Sequence, residues 1–217
     1  MFTHVGNFRV LSDREIAAVL KEARHYGPPK DRGMWAAVFG LLCEFGPRVS
    51  ELSQDFFLRS DVDLTKCYRL ADGTEIHGEV ALTTLKRWRT VEDGEGNKLR
   101  VRVPLKRVLP LRPWLADLLR THLDGSRGAS VFSGTTHHSW RRRVWRAWKA
   151  ACTKAGVKNR RLHDARHTVA TRLAEVDPIL ARDVLGHASL STTNTYIHCR
   201  NLASRFLSAP GAMGTAA

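Results

Sequence analysis

Residues 162–198 read LHDARHTVATRLAEVDPILARDVLGHASLSTTNTYIH, and this stretch decides how the rest of the chain is read. His163 and Arg166 stand three apart, so a helix puts them nearly on one face, where both can address one ligand. His163 and His167 are at i and i+4, the spacing of a zinc-protease helix. Asp164, however, is shorter than the glutamate such chemistry needs, and Arg166 would set a fixed charge beside the ion, so no metal site is expected. Asp177 and Pro178 begin a second helix as N-cap and N1. Gly186 suits a left-handed C-cap, which turns His187 out of that helix into a defined place. Thr192 and Thr193 can cap a last short helix that presents Tyr196. An arginine keeps its proton, an imidazole trades one and a phenol can become a nucleophile. Taken singly, His187 reads as a surface-turn histidine and Tyr196 as a core residue with a wet hydroxyl. Together the residue types suit attack on a phosphodiester.

Charge supports a polyanion. The 217-residue chain holds 35 Lys and Arg against 21 acids, a net +14. Residues 141–172 carry eleven basic residues and one acid, and residues 84–112 carry nine and three. A single charge run is ordinarily a solvated face; two dense basic blocks in one folded chain point to nucleic acid. With 43% hydrophobic residues the length allows one well-buried domain. The longest apolar run, residues 34–45, is too short to span a membrane, and no secretory leader is evident, so a cytoplasmic protein is expected. Cys43, Cys67, Cys152 and Cys199 lack C-x-x-C spacing and read as reduced, structural thiols.

Outward from the decisive stretch, the N-terminal half is helical. Ser12 and Glu15 are spaced as a capping box, with Ile16, Val19, Leu20 and Ala23 on one face. After Gly27, Pro28 and Pro29, Asp31 can cap a second helix, MWAAVFGLLCEF, whose nearly all-round apolarity puts it at the centre of the core. Gly46 and Pro47 break it. Arg48 follows in PRVSEL, open to two readings: capping the buried helix's free carbonyls, or serving a site from a rigid position. Residues 55–111 alternate and carry turn residues, predicting a small antiparallel sheet of two or three strands with its main hairpin near Gly94–Asn97. Lys86 lies on the strand entering that hairpin, beside Arg87 and Arg89. Residues 113–123 form a short amphipathic helix. Ser139 is expected to cap the next one, in which Trp140, Val144, Trp148 and Cys152 recur every four residues as core. Arg141, Arg142, Arg146 and Lys149 project from its other faces, where they can meet phosphates. The expected class is α+β, mainly α.

The motifs H-x-x-R, then L-G-H-x-S-x-x-T-T-x-x-Y-x-H, with G-x-R-x-S-E-L far upstream, resemble the catalytic domain of the tyrosine recombinase (phage integrase) family. The three boxes stand in the family's order over nearly the whole chain. This resemblance implies a helical DNA breaking-rejoining domain over residues 11–208, after a lead-in of residues 1–10 and before a flexible tail of residues 209–217. It implies that Arg48 and Arg166 clamp the scissile phosphate and that Tyr196 attacks it, giving a 3′-phosphotyrosyl link without ATP, metal or other cofactor. Lys86 would protonate the leaving 5′-oxygen, His163 would take the tyrosine proton, His187 would hydrogen-bond the phosphate and Glu51 would orient its neighbours. The partners implied are double-stranded DNA and further copies of the chain, as a tetramer on DNA, docked through residues 200–207 by Leu202, Phe206 and Leu207.

The chain departs from the family pattern in places. Pro47 replaces a more flexible or aliphatic residue, and the joint at residues 175–178 lacks the usual glycine and is short. Lys98 and Lys106 compete with Lys86 for the lysine's role. About ten residues precede the first catalytic helix, too few for the family's N-terminal DNA-binding domain, whose absence is expected. A type IB topoisomerase shares this chemistry, and a basic DNA-binding protein with a decayed site shares the charge.

Overall fold

The computed structural model describes residues 10–85, 88–102, 104–132, 137–158 and 160–186. Helix α1 (Asp13–Ala23) starts where the capping box predicts. The Ser12 hydroxyl accepts from the Glu15 amide at 3.3 Å, and the Glu15 carboxylate accepts from the Ser12 amide at 2.9 Å. Its Ile16, Val19, Leu20 and Ala23 are buried. Helix α2 (Met34–Phe45) is buried at every position and forms the centre of the core, as its all-round apolarity requires. Its cap differs from expectation. Asp31 ends a 3-10 turn and pairs with Arg143 at 2.9 Å, while Gly33 at φ 83° takes the N-cap place. A left-handed Gly46 at φ 60° closes α2, and Pro47 cannot continue it.

Two antiparallel units follow, where one small sheet is expected from sequence. Strands β1 (Val62–Arg69), β2 (Glu75–Thr84) and β5 (Leu105–Pro110) form a three-stranded sheet in the order β1-β2-β5. Strands β3 (Trp88–Glu92) and β4 (Lys98–Arg102) form a separate ribbon. Its turn is set by the Asp93 carboxylate, which accepts from the Glu95 and Asn97 amides at 3.0 and 2.8 Å. Alternation marks each strand, but it carries no information about which strands pair, and β2 finds β5 across the inserted ribbon.

Helix α3 (Pro113–Asp124) and helix α4 (His137–Lys154) pack beside α2. Ser139, the expected cap, instead lies inside the first turn of α4. The predicted core stripe of α4 is buried, and Trp140 anchors it by donating Nε1–H to the Val49 carbonyl at 2.9 Å. Trp35, Trp140 and Phe132 stack with centroids 6.0 and 5.9 Å apart, tying α2 to α4. Helices α5 (Leu162–Val176) and α6 (Pro178–Leu185) are joined by Asp177 alone. Its amide caps α5 by donating to the Leu173 carbonyl at 2.8 Å, and its carboxylate caps α6 by accepting from the Ile179 amide at 2.7 Å. One extended aspartate therefore does what a glycine joint would otherwise do. Cys43, Cys67 and Cys152 are free thiols, and burial first of all pushes the Cys43 and Cys152 thiols up to about 12. Among the described residues no helix is long and apolar enough to cross a membrane.

Candidate active site

The site is assembled where α2 and α6 end and α5 begins, against the sheet. Left-handed Gly46 swings the chain out of the core, and Pro47 delivers Arg48 at the start of the 3-10 turn Val49–Leu52. Glu51 closes that turn. One of its oxygens accepts from Arg48 Nη1 at 3.1 Å and the other from the Arg48 amide at 3.2 Å. Glu51 is fully buried, whereas the Arg48 side chain keeps 26% exposure, so its guanidinium is both held and reachable. The helix-capping reading of Arg48 is not what the structure shows, because the free Gly46 carbonyl is taken by Arg166.

Arg166 projects from α5 and is buried. Its Nη1 donates to the Gly46 carbonyl, and its Nη2 donates to the Leu185 carbonyl at 3.0 Å. The ends of α2 and α6 both present unpaired carbonyls, the partial negative charge that suits a cation. Two bonds leave further guanidinium N–H donors for a ligand. Burial, reinforced by Arg48 and opposed by Glu51, lowers the Arg166 pKa to about 10, and the group stays charged at neutral pH. His163 stands one turn before it on an exposed part of α5, its ring edge-to-face with His167 at 4.7 Å. Partial burial of the ring, then His167 and Arg166, push the His163 imidazole below its usual range, with Asp164 pulling the other way. Its neutral form is therefore favoured, as a proton acceptor requires. Among the described residues no group of His, Cys, Asp and Glu is placed to hold a metal ion.

Sequence reasoning missed Arg107. It lies on β5 and is 5% exposed, with Nη2 donating to Glu51 at 3.0 Å and Nη1 donating to the Val184 carbonyl. Three guanidinium groups thus surround one buried carboxylate, and the cluster carries excess positive charge. The available signal was phase: Arg107 alternates in step with buried Leu109, while Lys106 and Val108 face out. Of the competing lysines, Lys106 is held by Asp61 at 2.5 Å and Lys98 is exposed opposite Glu92 in the ribbon. Lys86, Arg87, His187, Tyr196 and residues 200–207 lie outside the described residues. Arg89 is in β3, opposite Val101. Arg141, Arg142, Arg146 and Lys149 are exposed on α4, as expected.

These features can be set beside known proteins. The model of the phage integrase family matches residues 9–202. A tyrosine recombinase XerD of Lacticaseibacillus casei is 32% identical over 120 residues, covering 50% of this chain and 39% of that protein. A tyrosine recombinase XerA of Pyrococcus furiosus is 36% identical over 111 residues, covering 49% and 37% respectively. The matched segments span well under half of those relatives. Among solved structures, the XerH site-specific recombinase in its pre-cleavage complex with a difH substrate superposes with a TM-score of 0.56 at 17% identity, over 90% of this chain and 52% of that one. That likeness is one of fold, helices around a small antiparallel sheet. A family match over nearly the whole sequence, on a fold of this kind, means that the chain belongs to the phage integrase family.

Proposed function

We propose that residues 11–208 are the catalytic domain of a site-specific DNA recombinase, which cuts and rejoins strands through a covalent 3′-phosphotyrosyl intermediate. The observation that carries this reading is the arginine cluster. Arg48 is held by the buried Glu51 carboxylate and Arg166 by two helix-end carbonyls, with positive charge in excess and N–H donors to spare. Guanidinium forks fixed in place before the substrate arrives stabilise charge that grows on non-bridging phosphate oxygens in the transition state.

In the reaction the Tyr196 phenol oxygen bonds to phosphorus while the bond from phosphorus to the 5′-oxygen breaks. His163, kept neutral by its surroundings, receives the phenol proton. Lys86 gives a proton to the departing 5′-oxygen, and His187 donates a hydrogen bond to the phosphate. The phosphotyrosyl ester conserves the bond energy, so attack by a 5′-hydroxyl rejoins a strand without ATP. Double-stranded DNA is the partner, gripped in part by Arg141, Arg142, Arg146 and Lys149 on α4 with Arg87 and Arg89 near the ribbon. Further copies of the chain join it on DNA through residues 200–207.

The test traps the intermediate. A pool of nicked suicide duplexes with randomised arms is incubated with the protein, and adducts surviving denaturation are recovered and sequenced. The parent is expected to give an adduct that Tyr196→Phe abolishes and a chelator leaves unchanged. An undiminished adduct from Tyr196→Phe, or none from the parent on any duplex, overturns the reading.

A further inference from the structure

Arg107 is buried, charged and well connected, yet no step of the proposed reaction uses it. Its two terminal nitrogens reach in different directions. Nη2 holds Glu51 at 3.0 Å, and the same carboxylate holds Arg48 by side chain and by backbone. Nη1 donates to the carbonyl of Val184, one residue before the Leu185 carbonyl that holds Arg166 at 3.0 Å. The Gly186 turn rests directly on the same group: a Cβ there would lie 2.9 Å from Arg107 Nη1 and 2.3 Å from Thr84 Oγ1. That close approach, together with φ 64°, is why glycine stands at this position. Arg107 Nε and Thr84 Oγ1 are buried without hydrogen-bond partners among the described residues, so the arginine sits where its fork is needed, not where all its donors are satisfied.

We propose that Arg107 is a positioning residue of the phosphate clamp, fixing the Arg48 guanidinium through Glu51 and fixing, through the Val184 carbonyl, the end of α6 that holds Arg166. The sheet thereby sets the spacing of two arginines that arise from different elements, a 3-10 turn and α5. A lysine could keep the charge beside Glu51. It is a point donor on a flexible stem and cannot replace a planar fork bridging two acceptors. The role rests on the recombinase reading for its catalytic consequence, but not for its effect on anion binding.

The test uses the full chain and two probes. Inorganic phosphate affinity is measured by titration calorimetry for the parent, Arg107→Lys, Glu51→Gln and the double variant, with the melting temperature of each. Adduct formation is then timed at saturating protein on the nicked duplex that the parent selects from the pool, and affinity for that duplex is measured separately. Arg107→Lys is expected to bind phosphate about tenfold more weakly and to form adduct about a hundredfold more slowly, the scale of an ångström-sized misplacement. Its duplex affinity stays near the parent's, because the grip on DNA lies elsewhere. In the Glu51→Gln background the lysine adds less than it does alone, since the route through Glu51 to Arg48 is already broken and only the route through the Val184 carbonyl is left to lose. A folded Arg107→Lys with parental phosphate affinity and adduct rate overturns the proposal, and so does full additivity in the double variant. Should Arg107→Lys not fold, Arg107→Gln with Glu51→Gln, which removes both members of the buried Arg107–Glu51 pair together, takes its place; loss of phosphate affinity supports the role, and parental affinity overturns it. A parent that forms no adduct, alongside an Arg107→Lys that loses phosphate affinity, removes the recombinase reading and leaves the positioning role standing. A parent that neither binds phosphate nor forms adduct overturns both, and in one that forms adduct without binding free phosphate the adduct rate of Arg107→Lys decides the positioning role.

Discussion

The state of the His163 ring depends on pH, and its burial and four neighbours, Arg48 among them, decide it. Partial burial, His167 at 4.7 Å and the fixed charge of Arg166 all disfavour the imidazolium, and Asp164 opposes them. The folded pKa therefore lies below the ordinary imidazole value of about 6.5. As a base, His163 must be neutral, so the acid limb of the cleavage rate should fall below that value and disappear in His163→Gln, measured as single-turnover adduct formation against pH. A limb above about 6.5, or one that survives the substitution, removes His163 from the proton path. The same shift bears on stability. With the folded pKa depressed, the unfolded chain takes up the proton first as pH falls. Stability is then complete above the unfolded value and is lost as pH falls through the folded one. His167 is depressed too, chiefly by burial, so His163→Gln should flatten the acid side of a plot of Tm against pH without abolishing its slope.

Helix ends are the elements that make this site, and Gly46 is the one whose close approach joins three helices. A Cβ there would stand 2.7 Å from Leu185 Cδ2 and 3.3 Å from Val169 Cβ, at a backbone φ of 60° that side chains rarely adopt. Gly46→Ala must strain the backbone and push α2 away from α5 and α6 together. It should cost roughly 2–3 kcal/mol, a fall in Tm of about 4–12 °C for a chain of this size. Adduct formation should slow as well, because the Gly46 carbonyl holds Arg166. Melting by circular dichroism checks the first part, and a variant within a degree of the parent would show that the close packing is not needed. Gly46, the Ser12–Glu15 box, the Asp177–Pro178 start and the Gly186 stop were all legible in the sequence, because capping chemistry is decided within a few residues. What the sequence hid is non-local. The pairing of β2 with β5 skips a whole ribbon, and the cap expected of Asp31 lost to an ion pair with Arg143, 112 positions away. Arg107 was hidden for the same reason: a strand's phase shows that a residue faces inward, not that Glu51 and the end of α6 wait for it there.

At the scale of the whole molecule, positive charge divides into two populations with different physics. Arg107 and Arg166 are buried and Arg48 is half-buried, so added salt screens them little. Arg141, Arg142, Arg146 and Lys149 stand exposed along α4, in a chain of net charge +14, and salt screens them fully. Each phosphate contact made by the exposed set releases condensed counterions, so the logarithm of duplex affinity should fall linearly with the logarithm of salt concentration. Removing Arg141 and Arg142 together as glutamines should reduce that slope by about two if both touch phosphates. Fluorescence anisotropy of a labelled duplex between about 50 and 200 mM salt measures it. If the buried population clamps the scissile phosphate as proposed, the adduct rate at saturating protein should change much less over the same range. Binding and chemistry would then respond to salt separately, as the proposed surface grip and interior clamp require. An unchanged slope in the double variant would take the contact off the face of α4, and an adduct rate as salt-sensitive as the affinity would mean that the interior cluster does not act on the phosphate.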